Sequence, residues 1–352
     1  MTEVSILLPT FSRNKNGMLS KSIESVLAQD FRDFELLVVD DGSSDGSDDT
    51  IRRFCALDPR VKHIRFDQNV GLPALTTAEA LVQSAGRYIA WQFDDCEWKP
   101  DLLSVLHEHS LESGAGVVYG SALVSSTAGM RSLGEAFSRE RLLEENYIAN
   151  CATLIKREVF DRCGWLDPHV LLKRICDYDM WIRASAHFRF SFTDVVVAEE
   201  HGGTLADSLG NSVFLSKSLS DEYRSLDRDQ FLKIGNRSNW NAFSKPPCVN
   251  DENIEDFCYV VVQHAMATGQ MHVAVEVLSG AGFLAASPES ICKWFGMQIN
   301  KRVLAQQAEM TRYVDRLEYG NAEKKKYIKK LEDQVAELRF ALQKSQPQAN
   351  SV

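Results

Sequence analysis

Four short apolar runs, separated by stretches with helical periodicity, constrain the fold of this chain more than any other feature. The runs are VSILLP, FELLVVD, VKHIRF and RYIAWQF, all within residues 1–93. Near-continuous apolar strands are typical of a parallel sheet that is covered on both faces. Between them, residues 18–28 and 73–85 place apolar side chains on one helical face. The pattern predicts a doubly wound, mostly parallel α/β sheet whose ligands bind at the carboxyl ends of the strands.

Composition and charge narrow the classes of function. The chain has 352 residues, of which 44% are hydrophobic, enough for one large domain and a smaller region. The formal net charge is −10, and no basic run precedes the C-terminal segment. A general nucleic-acid surface needs clustered Lys and Arg to neutralise phosphates. We therefore expect no nucleic-acid partner, and an anionic substrate would need a local basic patch or a metal.

The cysteines and the N-terminal segment bear on location. Eight cysteines are scattered without CxxC pairs or zinc-type spacing, which indicates reduced and mostly buried thiols. The segment MTEVSILLPTFSR lacks a basic start, and its apolar run is too short for a signal peptide or a membrane span. These features predict a cytoplasmic protein, with peripheral attachment to a membrane left open.

The periodicity changes along the chain and predicts four regions. They are an α/β domain at 1–210, a mainly helical region at 211–300, a coiled coil at 301–345 and a disordered tail at 346–352. In the third region, seam positions recur at spacings near three and four, which is typical of a left-handed coiled coil, and Asn321 and Lys324 interrupt the seam. We expect a homo-oligomer or a docking partner there. The alternative is a single solvated helix that packs on its own domain.

The segment VVDDGSSDGS is the first with candidate binding residues. A strand delivers Asp40 and Asp41 into a Gly/Ser turn that opens a helix. Carboxylates in this position accept hydrogen bonds from a base or from ribose hydroxyls. The alternative is a loop that uses Asp, Gly and Ser for turn and capping chemistry.

A second acidic segment, WQFDDCEW, follows the fourth run. If the strand continues through it, Phe93 and Asp95 share one face and Asp94 points to the other. Mg²⁺ or Mn²⁺ needs only one or two protein carboxylates when a diphosphate supplies further oxygens. Asp95 is the candidate ligand, and the alternative is an acidic loop that caps the helix after Pro100.

Two later segments supply the remaining candidates. In CDYDMWIR, Asp177 begins an expected helix, where it suits a general base for a sugar hydroxyl. Asp179 and Arg183 are four residues apart and suit an ordinary pair on the helix surface. In EEHGGT, His201 is a candidate metal or phosphate ligand, although a lone His is more often structural.

Together, the order of these motifs resembles that of the inverting family 2 glycosyltransferases of the GT-A fold, which transfer sugars from nucleotide-sugar donors. The resemblance covers about residues 4–203 and includes ILLPTFSR, similar to the family's PTYNR opening, and the Asn69-x-Gly71 turn. It implies that residues 1–115 bind the nucleotide diphosphate sugar and residues 116–210 bind a glycan or lipid-linked acceptor.

The resemblance also implies roles for individual residues. Those placed on the nucleotide sugar are Pro9, Thr10, Arg13, Asp40, Asp41, Asn69 and Asp94. Asp177 matches the family's catalytic base, and Asp95 matches the last acid of its DXD metal motif, for Mg²⁺ or Mn²⁺. His201 stands where the family often has a His near the metal or the diphosphate.

Several positions depart from the family pattern. Phe93 stands at the first acid of the metal motif, Cys96 at the acid that commonly follows it, and Cys176 at the acid before the base. Apart from these departures, the resemblance implies a metal-dependent inverting glycosyltransferase of polysaccharide or glycan biosynthesis. The alternative is a catalytically weakened GT-A domain that serves as a nucleotide-sugar binding or scaffold subunit. A glycoside hydrolase fits less well, because it has no need of the DDGSSDGS turn.

Overall fold

The N-terminal half is built on four parallel strands. The computed structural model describes residues 2–126, 129–201, 217–282 and 289–302, and residues 304, 305, 307, 308, 311, 312, 325 and 329. The first strands are β1 (Val4–Thr10), β2 (Phe34–Asp40), β3 (Val61–Arg65) and β4 (Tyr88–Trp91). They pair in parallel in the order β3-β2-β1-β4. All seven residues of β2 are buried, as expected for a strand covered on both faces. The predicted α/β fold is confirmed.

The connecting helices lie where the apolar periodicity places them. They are α1 (Met18–Leu27), α2 (Ser47–Leu57) and α3 (Pro73–Gln83). In α1, Leu19, Ile23 and Val26 recur at spacings of four and three and are fully buried. They pack in the core with alternate residues of the strands, including Ile6 and Leu36. Burial of each such side chain contributes roughly 1.5–3 kcal/mol.

The second half extends the same sheet with mixed pairing. Its strands are β5 (Cys96–Trp98), β6 (Val117–Ser126), β7 (Gly129–Leu133), β8 (Thr153–Lys156) and β9 (Phe190–Glu200). Its helices are α4 (Leu102–Ser113), α5 (Arg139–Glu144), α6 (Arg157–Cys163) and α7 (Cys176–Ser185). The sheet continues from β4 as β8-β6-β9-β5, with β7 on β6. The sequence FRFSFTDVVVAEE suggests a strand pair, but β9 is one strand, and register shifts in its pairing with β6 absorb the irregularity.

An aromatic cluster fixes α7 against the sheet. Trp91 at the end of β4 contacts Trp165 and Trp181, each with ring centroids 5.7 Å apart. All three rings are fully buried, and Trp181 belongs to α7. Such aromatic pairs contribute about 0.5–1.5 kcal/mol beyond their burial. The cluster therefore ties the middle of α7 to the carboxyl end of β4.

Further helices follow the sheet: α8 (Lys217–Arg224), α9 (Ile254–Thr268) and α10 (Met271–Gly280). The chain divides into two compact units, Met1–Pro288 and Glu289–Val352. In the second unit, residues 289–302 are helical. Most of the predicted coiled coil at 301–345 and the whole tail at 346–352 lie outside the described residues. The domain boundaries at 210 and 300 stay predictions. In the described part of the chain, no helix has both the length and the apolar character needed to cross a bilayer.

Candidate active site

A cleft of about 730 Å³ opens at the carboxyl ends of β1, β2 and β4. This edge of an open α/β sheet is where ligands are expected. Of the sequence-predicted residues, the cleft wall includes Pro9, Thr10, Arg13, Asp41, Asn69, Asp94, Asp95 and Asp177. Asp40 and His201 are not on that wall. Residues more than 160 positions apart in sequence thus meet in one cavity.

The segment after β1 forms one rim of the cleft. The backbone N–H of Phe11 donates to Asp94 Oδ2 over 3.2 Å, and Arg13 Nε lies 3.5 Å from Asp94 Oδ1. Ser12 has a φ of 55°, in the left-handed region that non-glycine residues rarely occupy. Its N–H donates to Ser43 Oγ over 2.9 Å. The chain holds Ser12 in this strained conformation at the mouth of the cavity, a frequent property of binding loops.

The adjacent acids Asp40 and Asp41 have different environments. Asp40 is fully buried, accepts a hydrogen bond from the Ser43 N–H over 2.8 Å, and pairs with Arg65. Asp41 lines the cleft and accepts hydrogen bonds over 2.8 Å from the N–H groups of both Val70 and Gly71. Burial raises the pKa of Asp41, and these two donors oppose the rise. Asp41 therefore fixes the Asn69–Gly71 turn at the cavity, whereas Asp40 holds the loop behind it.

The acidic segment after β4 is a turn, so the expected strand alternation is wrong there. Strand β4 ends at Trp91, and the N–H of Cys96 donates to the Phe93 carbonyl over 3.1 Å. The physical reason is that this bond closes the chain on itself, which an extended strand does not permit. As a result Phe93, Asp94 and Asp95 all line the cleft. Burial, together with the charge of Asp95, raises the pKa of Asp94 to about 7, although Arg13 opposes the shift.

Asp177 lies in the first turn of α7 and lines the same cleft. Burial raises the pKa of its carboxyl, although the N–H of Tyr178 and the nearby Arg174 oppose the rise. Glu200, at the end of β9, also lines the cleft. Its pKa rises to about 7, first because of burial and then because the carboxylates of Asp95 and Asp177 repel its charge. Three carboxylates from three elements therefore share one poorly solvated region.

His201 follows β9 and lies beside the acidic turn. Its backbone N–H donates to the Asp95 carbonyl over 2.9 Å, which extends the antiparallel pairing of β5 and β9. Its Nε2 lies 3.4 Å from Glu97 Oε1. Burial raises the pKa of the Asp95 carboxyl, and Arg13 and the nearby His201 oppose that rise. His201 itself is not part of the cleft wall. The backbone therefore places the two predicted metal residues next to each other.

The sequence profile described as "Glycosyl transferase family 2" matches residues 5–163, which contain the first rim, the Asp41 turn and the acidic turn. The chain contains a family 2 glycosyltransferase domain. Two curated relatives are similar to it. One is the "GalNAc(5)-diNAcBac-PP-undecaprenol beta-1,3-glucosyltransferase" of Campylobacter jejuni, 30% identical over 42% of this chain and 46% of the relative. The other is the "putative colanic acid biosynthesis glycosyl transferase WcaA" of Escherichia coli, 35% identical over 30% of this chain and 37% of the relative.

These matches span less than half the length of each relative. Among solved structures, TarS (residues 1–349) of S. aureus in complex with UDP-GlcNAc is similar, with a TM-score of 0.53 and 15% identity. That similarity covers 76% of this chain and 81% of the TarS chain. At this identity it concerns the fold alone, and the glycosyltransferase domain here has the GT-A fold.

Several residues of the glycosyltransferase cleft escape prediction from the sequence. Lys173 and Arg174 line it just before α7, and burial lowers the pKa of Lys173 to about 8. Helix α9 contributes His264 and Thr268 to the wall. A Cβ on Gly71, which has a φ of 63°, would lie 2.5 Å from Thr268 Cγ2. The Lys-Arg pair beside CDYDMWIR was an available signal for a basic patch, whereas the sequence of α9 offers none.

Proposed function

We propose that the protein is an inverting glycosyltransferase that transfers a sugar from a nucleotide diphosphate sugar to a hydroxyl acceptor, in polysaccharide or glycan biosynthesis. The observation that carries the proposal is one cleft that joins the Asp41 turn, the acidic turn at Asp94 and Asp95, and Asp177. A nucleotide site, a site for the departing diphosphate and a candidate base are then within a single cavity.

The donor side of the cleft suits an anionic ligand despite the negative charge of the chain. Arg13, Lys173 and Arg174 all line it, and charge-assisted hydrogen bonds from such cations to phosphate are strong. In the proposal, Asn69, Asp41 and the Pro9–Thr10 rim contact the nucleoside. Asp40 acts indirectly by holding the Gly/Ser loop, because Arg65 and Ser43 occupy its carboxylate.

The residues at the acidic turn fit a hard divalent cation. Asp95 is a cleft carboxylate whose pKa is raised by burial, and Asp94 and Glu200 add negative charge nearby. Carboxylate oxygens are the ligands that Mg²⁺ and Mn²⁺ prefer. Asp95 would hold the ion, aided by His201. When bound, such an ion stabilises the negative charge on a departing diphosphate.

Asp177 is the proposed catalytic base. Burial raises its pKa toward the working range of a general base, and the first turn of α7 favours its anionic form. It takes the proton of the acceptor hydroxyl while the oxygen bonds to the anomeric carbon. The bond from that carbon to the diphosphate breaks on the opposite face, so the configuration inverts. Positioning of both substrates in one cleft lowers the entropic cost of this step.

The acceptor is proposed from chemistry and from relatives. The region 116–210 contributes Asp177 and the Asn146–Cys151 segment to the cleft and would bind the acceptor. The name of the Campylobacter jejuni relative specifies an acceptor linked to undecaprenol diphosphate. A lipid-linked or polysaccharide glycan is therefore the proposed acceptor class. Association into a homo-oligomer or with a docking partner through residues 301–345 stays a prediction.

One observation favours the alternative of a weakened GT-A domain that binds a nucleotide sugar without efficient transfer. Phe93 lines the cleft at the position of the first acid of the metal motif and supplies no carboxylate. Its carbonyl accepts a hydrogen bond from Ser22 Oγ over 2.7 Å, so the turn is well anchored without an acid there.

A panel of nucleotide diphosphate sugars, incubated with and without glycan and lipid-linked acceptors, tests the proposal. Released nucleotide and product mass are measured with Mg²⁺, with Mn²⁺ and in excess EDTA. We expect acceptor-dependent release for one donor, and loss of release in EDTA. Donor binding without release for every acceptor would favour the scaffold alternative, and full turnover in EDTA would contradict the metal role.

A further inference from the structure

Two cysteines and a glutamate converge in the wall of the cleft. One ligand atom from each of Cys96, Cys151 and Glu200 lies within 4.8 Å of those of the other two. Cys96 begins β5 and is the register partner of Glu200 at the end of β9. Cys151 comes from the short 3-10 helix Asn150–Ala152. Three separate elements therefore bring two thiols and a carboxylate together.

The two thiols of the cluster are buried in the cleft wall and do not lie on the outer surface of the protein. Cys96 and Cys151 are each 2% exposed, both are free thiols, and both line the cleft together with Glu200. The sheet pairing of β5 with β9 fixes the spacing of Cys96 and Glu200. An ion could therefore reach the cluster from the cavity.

Ligand chemistry separates this cluster from the acidic turn. Thiolates select soft or borderline ions such as Zn²⁺, whereas carboxylates and carbonyls select Mg²⁺ and Mn²⁺. With Zn–S bonds of about 2.3 Å, tetrahedral geometry puts ligand atoms about 3.8 Å apart. The separations here, all within 4.8 Å, need only a small contraction.

We propose that Cys96, Cys151 and Glu200 form a binding site for a thiophilic divalent cation of the Zn²⁺ class, next to the hard-ion position at Asp95, whose Oδ1 lies 3.5 Å from Cys96 Sγ. The local charge favours such an ion, because Asp95, Asp177 and Glu200 all line the same cleft. Three protein ligands leave a fourth coordination position for water or a substrate oxygen. Because Cys96 follows Asp95 directly, occupancy of the site should also affect glycosyl transfer. Only this expected effect on glycosyl transfer rests on the proposed function; cation binding does not.

Titration of the reduced full-length chain with Co²⁺, with a phosphine as reductant, tests the site directly. Thiolate ligation of Co²⁺ gives an intense near-ultraviolet charge-transfer band. We expect one equivalent to saturate the band, Zn²⁺ to displace Co²⁺, and excess Mg²⁺ to leave the band unchanged. Cys151→Ser should lose most of the band, and Glu200→Gln should weaken binding at least tenfold.

Cys163→Ser is the matched control, because Cys163 is equally buried and is not part of the cluster. It should keep the band and the affinity. Asp95→Asn should also keep the band, so a failure of the hard-metal proposal does not decide this one. Thermal unfolding of each metal-free variant shows whether it folds, and Zn²⁺ should raise the midpoint of the wild type but not that of Cys151→Ser.

Two outcomes would overturn the site. One is a folded, fully reduced wild type that shows no thiolate-to-Co²⁺ band. The other is a band of wild-type intensity in both Cys151→Ser and Cys96→Ser. If the reduced protein shows no band and two thiols disappear on exposure to air, the pair forms a disulfide instead, which also contradicts the proposal.

Discussion

Two acids of helix α7, only two residues apart, have opposite electrostatic environments. Asp179 points into a buried network in which Arg228 Nη2 lies 2.5 Å from Asp179 Oδ1 and Arg183 Nε lies 2.9 Å from Asp179 Oδ2. Burial alone would raise the pKa of Asp179, but Arg183 and Arg228 hold it below its ordinary value. Asp177 faces the cleft, and burial raises its pKa. One carboxylate is neutralised by the fold, and the other is not.

This difference distinguishes an acid that the fold neutralises from the acids that line the cleft. Arg228 also contacts Asp167 Oδ2 over 2.5 Å, so the network joins the segment before α7 to the segment after α8. In the cleft, burial and then the charges of Asp95 and Asp177 raise the pKa of Glu200. Unfavourable charge of this kind is common where a ligand or a proton completes the site. We infer that the network holds α7 in place so that Asp177 can face the cleft.

The largest expected effect tests the cleft acid. Asp177→Asn should lower kcat about 10²–10⁴-fold, the usual contribution of a general base, while donor affinity stays unchanged. Because burial raises the pKa of Asp177, removal of its charge should leave the free energy of unfolding at neutral pH unchanged or slightly higher. Released nucleotide, donor titration and denaturant unfolding measure the three quantities. Wild-type kcat in this variant would exclude Asp177 as the base.

The next effect tests the network. Asp179→Asn should lower the free energy of unfolding by roughly 3 kcal/mol, the low end for a broken buried ion pair, because Arg183 and Arg228 lose a charged partner while Asp167 still pairs with Arg228. Urea unfolding, followed by circular dichroism, measures the loss. Asp221→Asn is the control: Asp221 pairs with Arg224 over 3.4 Å at an exposed position, where such pairs contribute about 0–1 kcal/mol. An equal loss of unfolding free energy in Asp179→Asn and Asp221→Asn would contradict the conclusion that Asp179 belongs to a stabilising buried network.

Much of the fold could be predicted because its signals are local. Parallel strands and their helices follow from apolar runs and from spacings such as Leu19, Ile23 and Val26. The Asp179–Arg183 pair also followed from its spacing of four residues, but it is buried rather than on the helix surface as expected. Burial depends on what packs over the helix, here Arg228 from beyond α8, and spacing within the helix carries no such information.

Site residues could be predicted only where they belong to local motifs. Asp41, Asp95 and Asp177 lie in short recognisable segments, and all three line the cleft. Glu200 and His264 do not, because their place in the wall depends on strand pairing and on the packing of α9 against the Gly71 turn. The wrong orientation of Asp94 relative to Asp95 has a similar cause, since one turn hydrogen bond at Phe93 ends the strand alternation.

The smallest expected effect contrasts two cations. Arg228 is held by two carboxylates, whereas burial and Arg174 lower the pKa of Lys173 to about 8, with Asp41 opposing the shift. If Lys173 contacts the donor diphosphate, donor affinity should fall roughly tenfold as the pH rises through about 8, because a charged hydrogen bond contributes about 1.5–3 kcal/mol. Isothermal titration with the nucleoside diphosphate, from about pH 6.5 to about pH 9.5, measures this change in affinity.

Stability should change in the opposite sense over that range. The unfolded chain binds the Lys173 proton more tightly, with an ordinary pKa of 10.5, so the free energy of unfolding should rise from about pH 8 upward. His264 does not interfere, because burial and Lys173 lower its pKa to about 3. Lys173→Arg keeps its charge and should bind the donor with little dependence on pH. Lys173→Met should bind weakly at every pH, and a wild-type pH dependence in that variant would assign the effect to another group.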